Sequence, residues 1–126
     1  MPNPNNYSQE LIKLLLPSEI FEYFEIVKLQ VTDTSINVYL DETNVLPQEF
    51  TEKILSSKGF HAASIIQDFP IRDKSLYLHV RRRRWLDEST GKVVSRDWDT
   101  VAKGTRYTKG FAIFLKGLFG YLPDKQ

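Results

Sequence analysis

Four consecutive arginines, Arg81 to Arg84, stand between the apolar alternation Leu76-Tyr77-Leu78-His79-Val80 and a tryptophan, Trp85. Leu76, Leu78 and Val80 mark a strand with one face in a core, so the arginines that follow are held on a rigid element and not on a loose tail. Guanidinium forks match phosphate oxygens, and flat rings stack on bases or on arginine. This chemistry suits an anionic polymer such as a nucleic-acid backbone. Alternate residues of a strand share a face. Tyr77, His79, Arg81, Arg83 and Trp85 therefore point one way, while Arg82 and Arg84 continue the line of Leu76, Leu78 and Val80. The first face, with its interleaved rings and guanidiniums, is the expected contact surface. Lys92 and Arg96 on a partner strand extend the patch, and Lys103, Arg106 and Lys109 in the following link extend it further.

The competing arrangement is a solvated hairpin whose arginines pair with Asp87, Glu88, Asp97 and Asp99. The charge distribution weighs against it. Residues 1–71 carry 4 basic and 10 acidic side chains, whereas residues 72–110 carry 11 basic and 5 acidic. A net charge of +1 for the whole chain hides this division, and local acids are too few to neutralise the basic stretch.

Other catalytic or metal chemistry is sparse. With no cysteine there are no disulfides and no thiolate metal sites. His61 and His79 are the only histidines, and no carboxylates surround them at ligand spacing. Gly91-Lys92 lacks the remaining residues of a phosphate loop. Asp97 and Asp99 would share one face of a strand, where pairing with arginine competes with holding a metal. No nucleophile has an adjacent base. The expectation is a non-enzyme without a cofactor.

The elements that must position these residues read as follows. Residues 1–7 form a disordered lead-in, 8–122 one α+β domain, and 123–126 a tail. The lead-in lacks the blocks of a signal peptide, and no apolar run is long enough to cross a membrane, which is compatible with a reducing cytoplasm. Ser8 caps a short helix with Leu11, Leu14 and Leu15 on one face, and Ser18-Glu19 restarts a turn after Pro17. Glu25–Val31 and Ile36–Leu40 form a hairpin across Thr32–Ser35. Residues 41–60 are polar and irregular, with a helical turn near Glu49–Leu55. Ala63–Phe69 is a third strand, Ser75–Trp85 a fourth, and Lys92–Trp98 a fifth that pairs back on the fourth. Thr108 caps a final amphipathic helix whose Phe111, Phe114, Leu115, Leu118 and Phe119 make one stripe, ended by Gly120. That stripe closes the core or docks on a partner. The expected fold is thus α+β: a small antiparallel sheet of about five strands with β-hairpins, short N-terminal helices and a C-terminal amphipathic helix.

Between about residues 23 and 119 the chain resembles the N-terminal region of bacterial insertion-sequence transposases. The resemblance is to the group that begins with a zinc-ribbon module before a helix-turn-helix and a catalytic domain. Tyr23-Phe24-Glu25-Ile26, Ser57-Lys58-Gly59-Phe60, Gln67-Asp68-Phe69-Pro70-Ile71-Arg72, Arg81–Trp85, Gly91–Trp98 and Thr105-Arg106-Tyr107-Thr108 carry it. Zinc-binding members place one cysteine pair where this chain has Asn44-Val45-Leu46-Pro47 and the other at Leu86–Thr90. Both pairs are missing here, so the resemblance implies a degenerate, metal-free zinc-ribbon-like fold held by packing, with Tyr39, Trp85 and Trp98 as fillers. It also implies recognition of DNA at the terminal inverted repeats of the element. The catalytic carboxylates would lie on another polypeptide. The alternatives are a protein-interaction module, whose acidic half and last helix dock on a catalytic transposase subunit, and an inactive relic of a mobile element.

Overall fold

The computed structural model describes the backbone of residues 4–50, 52–104 and 107–120, with side chains at 7–47, 49–50, 52–102 and 107–120. The fold is α+β. In chain order the elements are α1 (Pro4–Leu15), a 3-10 turn (Ser18–Glu22), β1 (Phe24–Val31), β2 (Ser35–Glu42) and a 3-10 turn (Gln48–Phe50). They continue with β3 (Leu55–Phe60), β4 (Ser64–Ile71), β5 (Lys74–Arg81), β6 (Arg83–Asp87), β7 (Val93–Val94), α2 (Trp98–Gly104) and α3 (Lys109–Phe119). The seven strands form two sheets, one of order β1-β2-β5-β4 and one of order β3-β6-β7. Helix α1 starts at Pro4 and not after a Ser8 cap; proline is well tolerated in a first helical turn, where its missing N–H has no intrahelical partner.

The two sheets are built on one long bent ribbon. Antiparallel pairing runs from Ile71↔Lys74 through Ser64↔Val80 and on to Leu55↔Asp87. Irregularities interrupt it where Lys58 and Gly59 together face Arg84, and again around residues 61–63 and at Phe69-Pro70. Gly59 takes φ 85°, a left-handed value that a bulge needs and glycine supplies without steric cost. The expected fourth strand, Ser75–Trp85, is thereby broken at Arg82, and its second half leaves the larger sheet for the smaller one. Strand β3, within the stretch expected to be irregular, has no apolar alternation. It exists because β6 pairs with it and because Ser56 and Ser57 bond to Glu88 and Arg83.

The expected fifth strand is also shorter. Only Val93 and Val94 pair, with Leu86 and Trp85. Asp97 then turns the chain into α2, its carboxylate accepting from the Asp99 and Thr100 N–H groups. Aspartate satisfies the open end of a helix better than it extends a strand, so Asp97 and Asp99 do not share a strand face.

Alternation fills the core. Ile36, Val38, Leu40, Leu76, Leu78, Val80 and Ile66 point to one side of the four-stranded sheet and meet Phe111, Phe114, Leu115 and Leu118 of α3, with Ile20, Phe24 and Trp98. Each such side chain contributes about 1.5–3 kcal/mol by leaving water. Thr108 Oγ1 accepts from the Phe111 N–H and Gly120 closes α3 at φ 79°, as the sequence predicts. Gly117 lets α3 sit close to the sheet: a Cβ there would lie 2.8 Å from Ile66 Cγ2. No helix among the described residues is long and apolar enough to cross a membrane.

Candidate nucleic-acid interface

Strand β5 lies parallel to β2 with Asn37 beside Tyr77, Tyr39 beside His79 and Asp41 beside Arg81. This register sets the acidic end of β2 against the start of the arginine run. Arg81 donates from Nε to Asp41 Oδ1 at 2.7 Å and from Nη2 to Asp41 Oδ2. The hydrogen bonds to Asp41 raise the Arg81 pKa above its ordinary value. Glu42, fully buried, then acts as a three-way tie. Its Oε1 accepts the Arg83 N–H at 2.9 Å, its Oε2 accepts Arg96 Nε at 2.8 Å, and its backbone carbonyl accepts Arg83 Nε at 3.1 Å. Arg83 also donates to Ser57 Oγ, and Arg96 to the Val45 carbonyl. The Phe60 ring lies beneath both Arg81 and Arg83, at 4.2 and 4.6 Å from their guanidinium carbons.

The face expected to meet phosphate is therefore largely committed inside the protein. The acids that hold it are Asp41 and Glu42 from the acidic half of the chain, and not Asp87, Glu88 and Asp97. Asp87 pairs with Lys53, Glu88 takes the Ser56 hydroxyl proton, and Asp97 caps α2. Trp85 is removed from stacking as well: its ring is buried and its Nε1–H donates to Asn44 Oδ1 at 3.0 Å. Trp85 and Trp98 are packing residues. Tyr39 is not; it stacks on His79 at 4.3 Å on the other face of the four-stranded sheet, with Lys28 over its ring. A cavity of about 300 Å³ adjoins that stack, walled by Val27, Ala63 and the Asp41–Arg81 pair.

Arg82 and Arg84, on the face expected to be the less important, are the ones left over. Both are half-buried. Neither has a carboxylate within 4.0 Å among the described residues; Arg82 lies over the Phe119 ring at 5.2 Å. His61 sits beside them. Its N–H donates to the Arg82 carbonyl at 2.8 Å, and its Nε2 is 2.7 Å from Ser95 Oγ. Burial, then Arg82, then Arg84 lower the His61 pKa from its ordinary value, against a weaker pull from Glu42. Two cations close enough to discourage a third define a region of uncompensated positive potential. Sequence reasoning missed His61 and Ser95, because their approach depends on the break at Arg82 and on the loop after β7.

Lys92 and Lys109 are exposed, at the β6–β7 turn and the first residue of α3. The Lys103 side chain and Arg106 lie outside the described residues. The turn after β6 is organised by Asp87, itself buried, which accepts from the Ser89 hydroxyl and N–H and from Lys53 Nζ. Against the cost of burial, those bonds, with the Ser89 hydroxyl foremost, hold its carboxyl at about 2. Among the described residues no three side chains of the metal-ligating types stand together. No family model, curated protein or solved structure matches the chain.

Proposed function

We propose that this domain is a non-catalytic DNA-binding module of an insertion-sequence transposase, holding the terminal inverted repeats mainly through phosphate contacts. Arg82 and Arg84 make the central contacts, with Lys92 and Lys109 as exposed outliers. Cutting and joining DNA are assigned to a catalytic polypeptide that works with it in the cytoplasm. The observation that carries this reading is the pair of half-buried guanidiniums without a carboxylate partner among the described residues. A protein that only needed charge for its own architecture would have paired them, as it pairs Arg81 and Arg96. The resemblance to transposase N-terminal regions supports it, as does the Asn44–Trp85 bond, which joins the two segments where relatives of that group carry cysteines.

The test is a titration of the full chain against a duplex bearing the flanking terminal repeats, with a scrambled duplex as control, across a range of salt. Each phosphate contact contributes about −0.9 to the slope of log K on log salt. Arg82→Ala with Arg84→Ala should flatten that slope by about 1.8 and weaken binding to both duplexes. Binding indifferent to salt, or a double variant with the parent slope, refutes the reading.

A second reading, docking on a catalytic subunit, is favoured by a different surface from the one expected. The α3 stripe is spent in the core of the domain itself, but Leu11, Leu14 and Leu15 of α1 are 63%, 81% and 58% exposed. Sedimentation of the chain with and without the catalytic polypeptide tests this; no change in mass removes the second reading.

A further inference from the structure

The cluster at the ribbon break has the parts of a complete oxyanion site, and one of them titrates near neutral pH. Arg82 and Arg84 share a face of the ribbon, separated by two strand residues, or about 6.6 Å. That separation lets long guanidinium side chains converge on one phosphate. Opposite Arg84 the backbone bulges at Lys58-Gly59, so the pairing strand is locally opened there. His61 is anchored next to Arg82 by its own N–H, and its ring is fixed by Ser95. The site thus offers two forked donors, an imidazole and a hydroxyl.

We propose that His61 and Ser95 complete, with Arg82 and Arg84, a single site for a nucleic-acid phosphate, and that His61 takes up a proton from solvent when the phosphate occupies it. This rests on the DNA-binding reading and adds a third, conditional charge to it. In the neutral ring, Nε2 either accepts from or donates to Ser95 Oγ. In the protonated ring both nitrogens carry hydrogen, so Nε2 must donate to Ser95 and Nδ1–H becomes a second donor. The Ser95 hydroxyl proton is then free to turn to the phosphate.

The charges that act on the ring are Arg82 and Arg84, which disfavour its proton, and Glu42, which favours it. Glu42 is already engaged by Arg83 and Arg96. A bound phosphate offsets the two guanidiniums and attracts the imidazolium directly, so occupancy must raise the pKa that the empty site lowers. The linkage has a definite sign. Affinity is highest and flat at pH below the free-state pKa, which lies under the ordinary value of about 6.5. It falls about tenfold per pH unit between the free and bound pKa values, and is flat again above the bound one.

The experiment is an NMR titration of the two histidine rings of the full chain, free and saturated with a short DNA duplex, with inorganic phosphate as a separate arm. His79, which is bonded to Asn37 on the larger sheet, serves as the internal control. The expected result is a His61 pKa raised by about one unit or more with the duplex, a His79 pKa that stays put, and a smaller rise with inorganic phosphate. In a parallel binding series, His61→Gln should keep the salt slope and lose the pH dependence, and Ser95→Ala should lessen the pKa rise. A duplex that binds without moving the His61 pKa overturns the proton-linked site and leaves the DNA-binding module standing. No duplex binding at any pH overturns both. A rise of equal size with inorganic phosphate at matched occupancy overturns the assignment to nucleic acid.

Discussion

Glu42 offers the sharpest test of how the two charged halves of the chain are joined. Its carboxylate is fully buried, and the Arg96 side chain it meets is 11% exposed, so neither charge is screened by water. Replacing Glu42 with glutamine keeps the volume and one acceptor oxygen but leaves Arg96 with no charged partner. Removing one member of a buried pair costs about 3–5 kcal/mol, because the remaining charge stays desolvated. With an unfolding entropy of about 2.1 cal/mol/K per residue, a chain of this length loses about 0.26 kcal/mol per kelvin at its midpoint. Glu42→Gln should therefore lower the thermal midpoint by about 11–19 K. Urea unfolding followed by tryptophan fluorescence reads this directly, since Trp85 and Trp98 are both buried. Adding Arg96→Met to the first change should recover part of the loss, as two apolar groups no longer confront an unpaired charge. A loss below about 1 kcal/mol for Glu42→Gln would mean that water reaches the pair, and the three-way tie would be wrong.

Two further perturbations test separate parts of the framework. The Asp87 carboxyl titrates at about 2 in the folded chain, below the value of about 3.9 in an unfolded one. Its contribution is therefore complete above about pH 4 and is lost as pH falls through about 2. Acid unfolding of Asp87→Asn should lack that limb; parallel stability curves for parent and variant would rule the effect out. Gly117→Ala gains about 1 kcal/mol of helix propensity, but its methyl would sit 2.8 Å from Ile66 Cγ2. The overpacking cost of about 1–3 kcal/mol should win, and trimming Ile66 to alanine in the same chain should reduce it; a net gain on Gly117→Ala alone would show that α3 stands farther from the sheet.

Local signals in the sequence were enough for local structure. Alternation at Ile36–Leu40 and Leu76–Val80, the Thr108 cap and the Gly120 stop all act within a few residues and read correctly. Strand β3 escaped because its residues, Leu55-Ser56-Ser57-Lys58-Gly59-Phe60, have no apolar period and owe their conformation to a partner strand. Trp98 resembles the end of a strand until Asp97 is seen as a cap. The site was legible only as composition. Counting acids near the arginines misses Asp41 and Glu42, which lie far away in the chain and next door in the sheet. Consequently the emphasis on Arg81 and Arg83 moves to Arg82 and Arg84, and Trp85 moves from the surface to the interior.

The parallel pairing of β2 with β5 also governs how the chain can acquire this shape. Each residue of β2 from Ser35 to Asp41 must wait for a partner 40 positions later. Non-local contacts of this kind exact their loop-closure cost before any pairing is gained, which slows folding. During synthesis the β1–β2 hairpin emerges first and carries Asp41 and Glu42 without their arginines. Only when the ribbon has been made through Arg83 can the hairpin gain its second neighbour and its counter-charges in the same event. Sheet completion and charge neutralisation are thus one cooperative step, and a nascent chain stopped short of the arginine run has neither.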